Sequence, residues 1–341
     1  MRFKEVLTYD DVLLVPQHSD IESRGEVDIG NDLDEKTHLS LPILSAPMDT
    51  VTENTMAFAM HHAGGLGIIH RYNSIKRQVE LVRDASVEKM CNVGAAVGVA
   101  GDFEERACSL YDAGANVICV DVAHGHHLLV ERAIKTLRNI FGDSVHVMAG
   151  NVATAEGYKA LSSWGADSVR CNVGGGSICS TRIQTGHGVP GLQTILDCAA
   201  HKRPETKIIA DGGLRNSGDM VKALAAGADI VMVGSLLAGT DETPGDVIGT
   251  INSKKKIYRG MASKEAQFEW RGKYSSNEGI SATIPYKGKV ADILKDLKNG
   301  IASGLSYSGC RSIQELQENA IFIRQTVSGL AESRPHILGK T

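Results

Sequence analysis

The chain has 341 residues, with 36 Lys and Arg against 40 Asp and Glu, a net charge of −4. Apolar residues make up 42% and charged residues 22%, too apolar for a disordered chain and enough to build a core without disulfide staples. That balance excludes a basic footprint for nucleic acid or membrane, and the opening MRFKEVLTYDD has no apolar signal core. No run approaches the roughly 18 apolar residues of a membrane span.

Eight short runs rich in Val and Ile follow in chain order, at 41–45, 67–70, 93–99, 116–122, 145–149, 166–172, 207–210 and 229–234. They are near-continuous rather than alternating, as strands of a parallel sheet buried on both faces should be. Segments of helical spacing lie between them, such as 103–114 and 216–227, each closing on a glycine suited to a helix C-terminus. Eight alternations predict the α/β class and a (β/α)8 TIM barrel, as one domain over 1–341, rather than an open doubly wound sheet. After the eighth run, residues 251–285 carry charge, Gly and Ser with little periodicity. An irregular insertion at that place predicts a flap over the mouth of the barrel. Residues 288–333 return to helical spacing and supply the last helices.

The runs end in polar or glycine-rich tails: Met48-Asp49-Thr50, 121–127, Gly150-Asn151, 174–181, Asp211-Gly212-Gly213 and Gly234-Ser235. A barrel gathers such tails at its C-terminal mouth. The last two have the type and place of a phosphate site, built from backbone N–H groups with a helix N-terminus behind them; ordinary tight turns are the plain alternative. Seven cysteines, at 91, 108, 119, 171, 179, 198 and 310, form no C-x-x-C pair and point to a reduced, cytoplasmic setting. Cys91, Cys119 and Cys171 lie in or beside apolar strands and Cys108 and Cys198 on helical segments, so they read as core thiols, whereas Cys179 sits in a glycine-rich loop. GHGVPG at 186–191 mimics a dinucleotide fingerprint, but it follows no strand and contains Pro190. His124, His126 and His127 lack a completing ligand motif and read as a polar loop, not a metal site.

LTYDDVLLVP (7–16), APMDTVTE (46–53), DVAHGH (121–126), GGGSICSTRIQTGHGVP (174–190), IIADGGLRNSGD (208–219), YRGMAS (258–263) and IPYKG (284–288) together carry a resemblance. The chain resembles the IMP dehydrogenase/GMP reductase family of purine-nucleotide oxidoreductases. The resemblance implies a TIM barrel, a covalent bond between Cys179 and carbon 2 of the purine, and hydride passed between that carbon and a nicotinamide. It implies that Ser177, Asp211, Gly212, Gly213, Gly234, Ser235 and Tyr258 hold phosphate and ribose, and that Gly260, Met261 and Ser263 line the base. Asp121, with His124 in the same loop, is implied on the nicotinamide side. Backbone carbonyls of Gly174, Gly176 and Cys179 are implied as ligands of a potassium ion, and a homotetramer as the assembly.

The family's two branches run opposite net chemistry. Both share the cysteine, Thr181 and the Glu-Gly near the end of the flap, here Glu278-Gly279. The reductase takes GMP and NADPH to IMP, ammonia and NADP, with Thr181 and Glu278 implied there as the groups that protonate the ammonia. The dehydrogenase takes IMP, NAD and water to XMP and NADH, using an Arg-Tyr pair on a long flap. MDTVTE, GIIH and DVAHGH lean toward the dehydrogenase. Met261 to Glu278 spans only 17 residues, Arg271 and Tyr274 are not adjacent, and residues 71–92 leave no room for the regulatory CBS pair common in dehydrogenases. These lean toward GMP reductase, with IMP dehydrogenase as the alternative. A barrel that has lost catalysis is a third reading, opposed by the retention of Cys179, Thr181 and Glu278. Two positions depart from the family pattern: GPGS is GGGS here, and Asn172 stands where glycine is usual.

Overall fold

The computed structural model describes residues 3–86, 91–251 and 253–335. In chain order the elements are β1 (Val12–Leu14), β2 (Asn31–Asp34), β3 (Thr37–Leu39), β4 (Ile43–Ser45), α1 (Asn54–His62), β5 (Leu66–Ile69), α2 (Ile75–Ala85), β6 (Val93–Val97) and α3 (Phe103–Asp112). Next come β7 (Val117–Asp121), α4 (Leu128–Phe141), β8 (His146–Val152), α5 (Ala155–Trp164), β9 (Ser168–Cys171), α6 (Thr181–Thr185), α7 (Gly191–Ala199), β10 (Lys207–Asp211), α8 (Ser217–Ala225) and β11 (Ile230–Val233). The chain ends with β12 (Lys255–Arg259), α9 (Lys264–Arg271), β13 (Ser281–Pro285), α10 (Val290–Tyr307), α11 (Ile313–Asn319), β14 (Phe322–Arg324) and α12 (Val327–Glu332).

Strands β4 to β11 pair in parallel in chain order, and β11 returns to β4 to close the barrel. All eight expected runs are strands of that barrel. Inside it, Leu44, Leu66, Ile68, Met148, Ile209 and Met232 form one core, and the larger core fills the space between strands and helices. Strands with both faces buried need apolar residues at nearly every position, which is why the runs do not alternate.

Three features were not expected. The β2–β3 hairpin plugs the base of the barrel with Leu33 and Leu39, which are fully buried. Strand β1 pairs with β14 and ties the two ends of the chain together. The insertion after β11 is ordered: β12 and β13 form an antiparallel hairpin that carries α9 between its strands. Its alternation was missed because the buried positions of β12 are Lys256 and Tyr258, not aliphatic residues. Lys256 is tolerated there because its ammonium donates to the carbonyls of Thr240 and Thr243, at 3.1 and 2.5 Å. Among the described residues no helix is long and apolar enough to cross a membrane.

Candidate active site

The C-terminal ends of the barrel strands and the flap enclose a cavity of about 360 Å3, a size suited to a small molecule. The loop after β9 brings Cys179 to its wall, half-buried. The Cys179 thiol donates to Thr181 Oγ1 at 3.2 Å, and the Thr181 hydroxyl donates to Glu278 Oε2 at 2.9 Å. Glu278 lies 97 residues further along, on the flap. Backbone pairing brings it in: Ser180 N–H donates to Glu278 O at 2.9 Å, and Ile280 N–H to Ile178 O at 3.0 Å. The Ser276 hydroxyl holds the other carboxylate oxygen of Glu278 at 2.9 Å. Thiol, hydroxyl and carboxylate therefore form one hydrogen-bonded row on the cavity wall.

The other cysteines behave as buried sulfur should, with two exceptions. Burial pushes the Cys119 thiol up to about 12 and raises that of Cys171 well above the ordinary thiol value. Cys198 and Cys310 are buried as well. Cys91 and Cys108 are half-buried rather than in the core; α3 buries Phe103, Arg106, Ala107 and Leu110, leaving Cys108 at the edge of that face.

Ser177, Asp211, Gly212, Gly213, Gly234, Ser235 and Tyr258 all line the cavity. Gly212 and Gly213 follow β10 with φ of +82° and +77°, a double left-handed turn that side chains resist. Gly234 is required by space: a Cβ there would sit 2.9 Å from Met48 Sδ and 3.2 Å from Tyr258 Oη. Beyond β11 there is only a turn, Ala238 N–H to Gly234 O at 2.9 Å, where a helix N-terminus was expected. The barrel's eighth long helix, α10, comes only after the flap.

Gly260 and Met261 also line the cavity, and Met261 is held by Asp49 N–H, which donates to its sulfur at 3.2 Å. Ser263 is not at the cavity wall. It is fully buried and caps α9, accepting from Ala266 N–H at 3.2 Å. Asp121 is in the wall, but His124 is exposed and outside it.

Sequence reading missed Arg170, the most buried charge of the site. Its guanidinium bridges two carboxylates, reaching Asp121 Oδ1 at 2.6 Å and Asp211 Oδ2 at 2.8 Å. Burial works against the charge, but Asp211 and Asp121 raise its pKa further. Asn151 donates to the same Asp211 oxygen at 2.7 Å. Arg71 extends the row, donating to Asp121 O at 3.1 Å. Above Arg71, Tyr72 from the loop after β5 stacks on Trp270 of α9, ring centroids 4.2 Å apart. Arg259 joins the flap to Asp49, at 2.7 Å, and to Glu269, at 2.6 Å. A lone arginine inside an apolar strand was the available signal for Arg170; nothing in the sequence paired Tyr72 with Trp270.

Comparison with known proteins shows the family and the fold. Residues 6–336 match the profile of the IMP dehydrogenase / GMP reductase domain. The chain belongs to the IMP dehydrogenase/GMP reductase family. It is 37% identical to an inosine-5'-monophosphate dehydrogenase of Nitrosopumilus maritimus over 98% of this chain and 99% of that one. It is 33% identical to a GMP reductase of Leishmania major, over 98% of each chain. A crystal structure of GMP reductase from Trypanosoma brucei, a cysteine-to-alanine variant in complex with guanosine 5'-monophosphate, matches with a TM-score of 0.92 and 34% identity over 98% of each chain. The family consists of nicotinamide-dependent oxidoreductases of purine nucleotides, and the chain is an enzyme of that class.

Proposed function

We propose that the chain is a GMP reductase, turning GMP and NADPH into IMP, ammonia and NADP through a Cys179 adduct at carbon 2 of the purine. The row from Cys179 through Thr181 to Glu278 supports the adduct chemistry, and Arg271, engaged within the flap away from the cavity, supports the choice of branch. When sulfur adds to carbon 2, its proton passes through Thr181 toward Glu278. The amino group on that carbon leaves as ammonia only when it gains a proton, and the same row returns one to it. The carbon–sulfur bond then holds the purine until hydride arrives and sulfur departs. A reduced nicotinamide supplies that hydride when bound. Asp121, Arg71 and Tyr72 would hold it, and Arg71 suits the task because its buried Nε, 3.7 Å from Asp121 Oδ2, makes no hydrogen bond among the described residues.

Neither Arg271 nor Tyr274 of the flap reaches the cavity as a base for water. Arg271 donates to Gln267 Oε1, to Ser275 Oγ at 3.1 Å and to Lys273 O at 3.3 Å. Tyr274 is exposed, under the ammonium of Lys264, and neither residue lines the cavity. Oxidation of IMP is the second reading, favoured by the 37% identity to a dehydrogenase.

For potassium, the carbonyls of Gly174, Gly176 and Cys179 are suitable hard donors. Cys179 N–H already donates to Gly176 O at 3.1 Å, and the Arg182 side chain packs against Gly174, so the loop is shaped by protein contacts and no step is assigned to an ion. A homotetramer in the cytoplasm completes the proposal.

The test is nicotinamide absorbance with GMP or IMP and with either cofactor pair. GMP with NADPH should be the productive pairing. Fast steady-state NADH formation from IMP, lost in Arg271→Ala, would transfer the chain to the dehydrogenase branch. Cys179→Ala should abolish turnover while GMP binding, measured by calorimetry, changes only a few-fold, because the phosphate and ribose contacts lie elsewhere.

A further inference from the structure

Asn172 follows β9 with φ at +152°, and among the described residues it is the only non-glycine with positive φ. Its side chain is buried, 5% exposed, at the junction of two glycine turns. The amide lies directly beneath Gly175: a Cβ on Gly175 would sit 2.2 Å from Asn172 Nδ2 and 2.6 Å from its Oδ1. Gly175 itself does not adopt a left-handed conformation, so its backbone makes no demand for glycine. Space alone requires glycine there, and the Asn172 amide is what takes up the space. Conversely, the backbone at 172 is one that glycine adopts more readily than asparagine.

The same amide reaches the second turn. Asn172 Nδ2 donates to Gly212 O at 3.1 Å, within Asp211-Gly212-Gly213. The two turns also touch, since a Cβ on Gly213 would meet Gly175 O at 2.9 Å. Asn172 Oδ1 has no partner. A strained backbone and an orphaned buried oxygen both cost stability. The residue is therefore not a stability optimum, and its return lies in what the amide connects.

We propose that Asn172 is a positioning residue that clamps the thiol loop to the turn after β10, and that positions 172 and 175 form a reciprocal pair. A large side chain at 172 requires glycine at 175; glycine at 172 leaves room for a larger residue at 175. In this arrangement a ligand seated on Gly212 and Gly213 is felt at Cys179 through one hydrogen bond and one van der Waals contact. The coupling to nucleotide rests on the function proposed above; the pairing of 172 with 175 does not.

The experiment compares Gly175→Ala, Asn172→Gly and the double variant with the wild-type enzyme. Melting temperature is read first, without any substrate. Gly175→Ala should melt well below wild type, and the double variant should recover most of that loss. If Gly175→Ala cannot be obtained folded, recovery of folded protein in the double variant reports the same pairing. An equal cost of Gly175→Ala in both backgrounds overturns it. Alkylation of Cys179 by iodoacetamide, followed on its peptide by mass spectrometry, is then read with and without GMP. In wild type, GMP should change the rate; in Asn172→Gly the change should shrink about tenfold, with KM for GMP raised by a similar factor and kcat affected less. Unchanged KM and unchanged GMP response in Asn172→Gly would overturn the clamp. If no purine nucleotide turns over at all, the function proposed above fails while the melts still decide the pairing.

Discussion

Cys179 owes its place to a loop, and Glu278 to a flap, yet the two meet across a single hydroxyl. GGGSIC-x-T made Cys179 and Thr181 stand out in the sequence, whereas Glu278 was named only through the family resemblance. Arg170 behind them was not legible: it meets Asp211, which Asn151 also holds, only because barrel closure puts three strands side by side. The row makes a definite kinetic demand. A positioned acid or base contributes about 10²–10⁴-fold, so Glu278→Gln should slow GMP reduction by about that factor with little change in GMP affinity. Thr181→Ala should act similarly. The double variant should lose less than the product of the two, since linked groups are not additive; full additivity in steady-state rates would mean that the two act separately.

At the scale of elements the flap is the part that pattern reading got least right. Its place after β11 was expected, but its hairpin was hidden by a buried lysine and its helix by the charges of KEAQFEWR. Helix α9 is held to the barrel by the Tyr72–Trp270 stack and by Arg259, which bonds both Asp49 and Glu269. An aromatic pair is worth about 0.5–1.5 kcal/mol beyond its buried area, so removing it should raise the open population roughly two- to tenfold. Trp270→Ala should accordingly speed tryptic cleavage after Arg271 and Lys273 by that factor, and Tyr72→Ala should match it. Cleavage at the wild-type rate in both variants would show that Arg259 alone keeps the flap down.

For the molecule as a whole, eight apolar runs were enough to specify the barrel, and the observed strands differ from the runs by only a few residues at their ends. The plug at the base was not visible, because NDLD and THL are short and half polar. It is fastened by Asp34, whose carboxylate meets the buried imidazole of His146 at 2.7 Å. Burial is the largest single influence and pushes the Asp34 carboxyl up, but the hydrogen bond and charge of His146, with bonds from Lys36 N–H and the Thr37 side chain, together outweigh it and hold the pKa at about 2, below the ordinary 3.8. A lowered carboxyl pKa contributes stability that is complete above pH 3.8 and is lost as pH falls toward 2. Asp34→Asn should therefore cost about 1–2 kcal/mol near neutrality, and the gap to wild type should narrow in denaturant melts as pH is lowered from 3.8 toward 2. A gap that stays constant with pH would place the contribution in packing instead.

The two ends of the flap leave and rejoin the barrel at one point, where Lys287 N–H donates to Gly239 O at 2.8 Å and Asp241 N–H to Gly288 O at 2.9 Å. The sulfur belongs to the barrel and the carboxylate to the segment spliced in at that seam. On the function proposed above, such an arrangement would make the acid group interchangeable: a different cassette entering and leaving through the same seam would present a different group to the same sulfur–purine bond. The barrel would then fix which carbon is attacked, and the cassette would decide whether an amine is released from it or water is admitted to it.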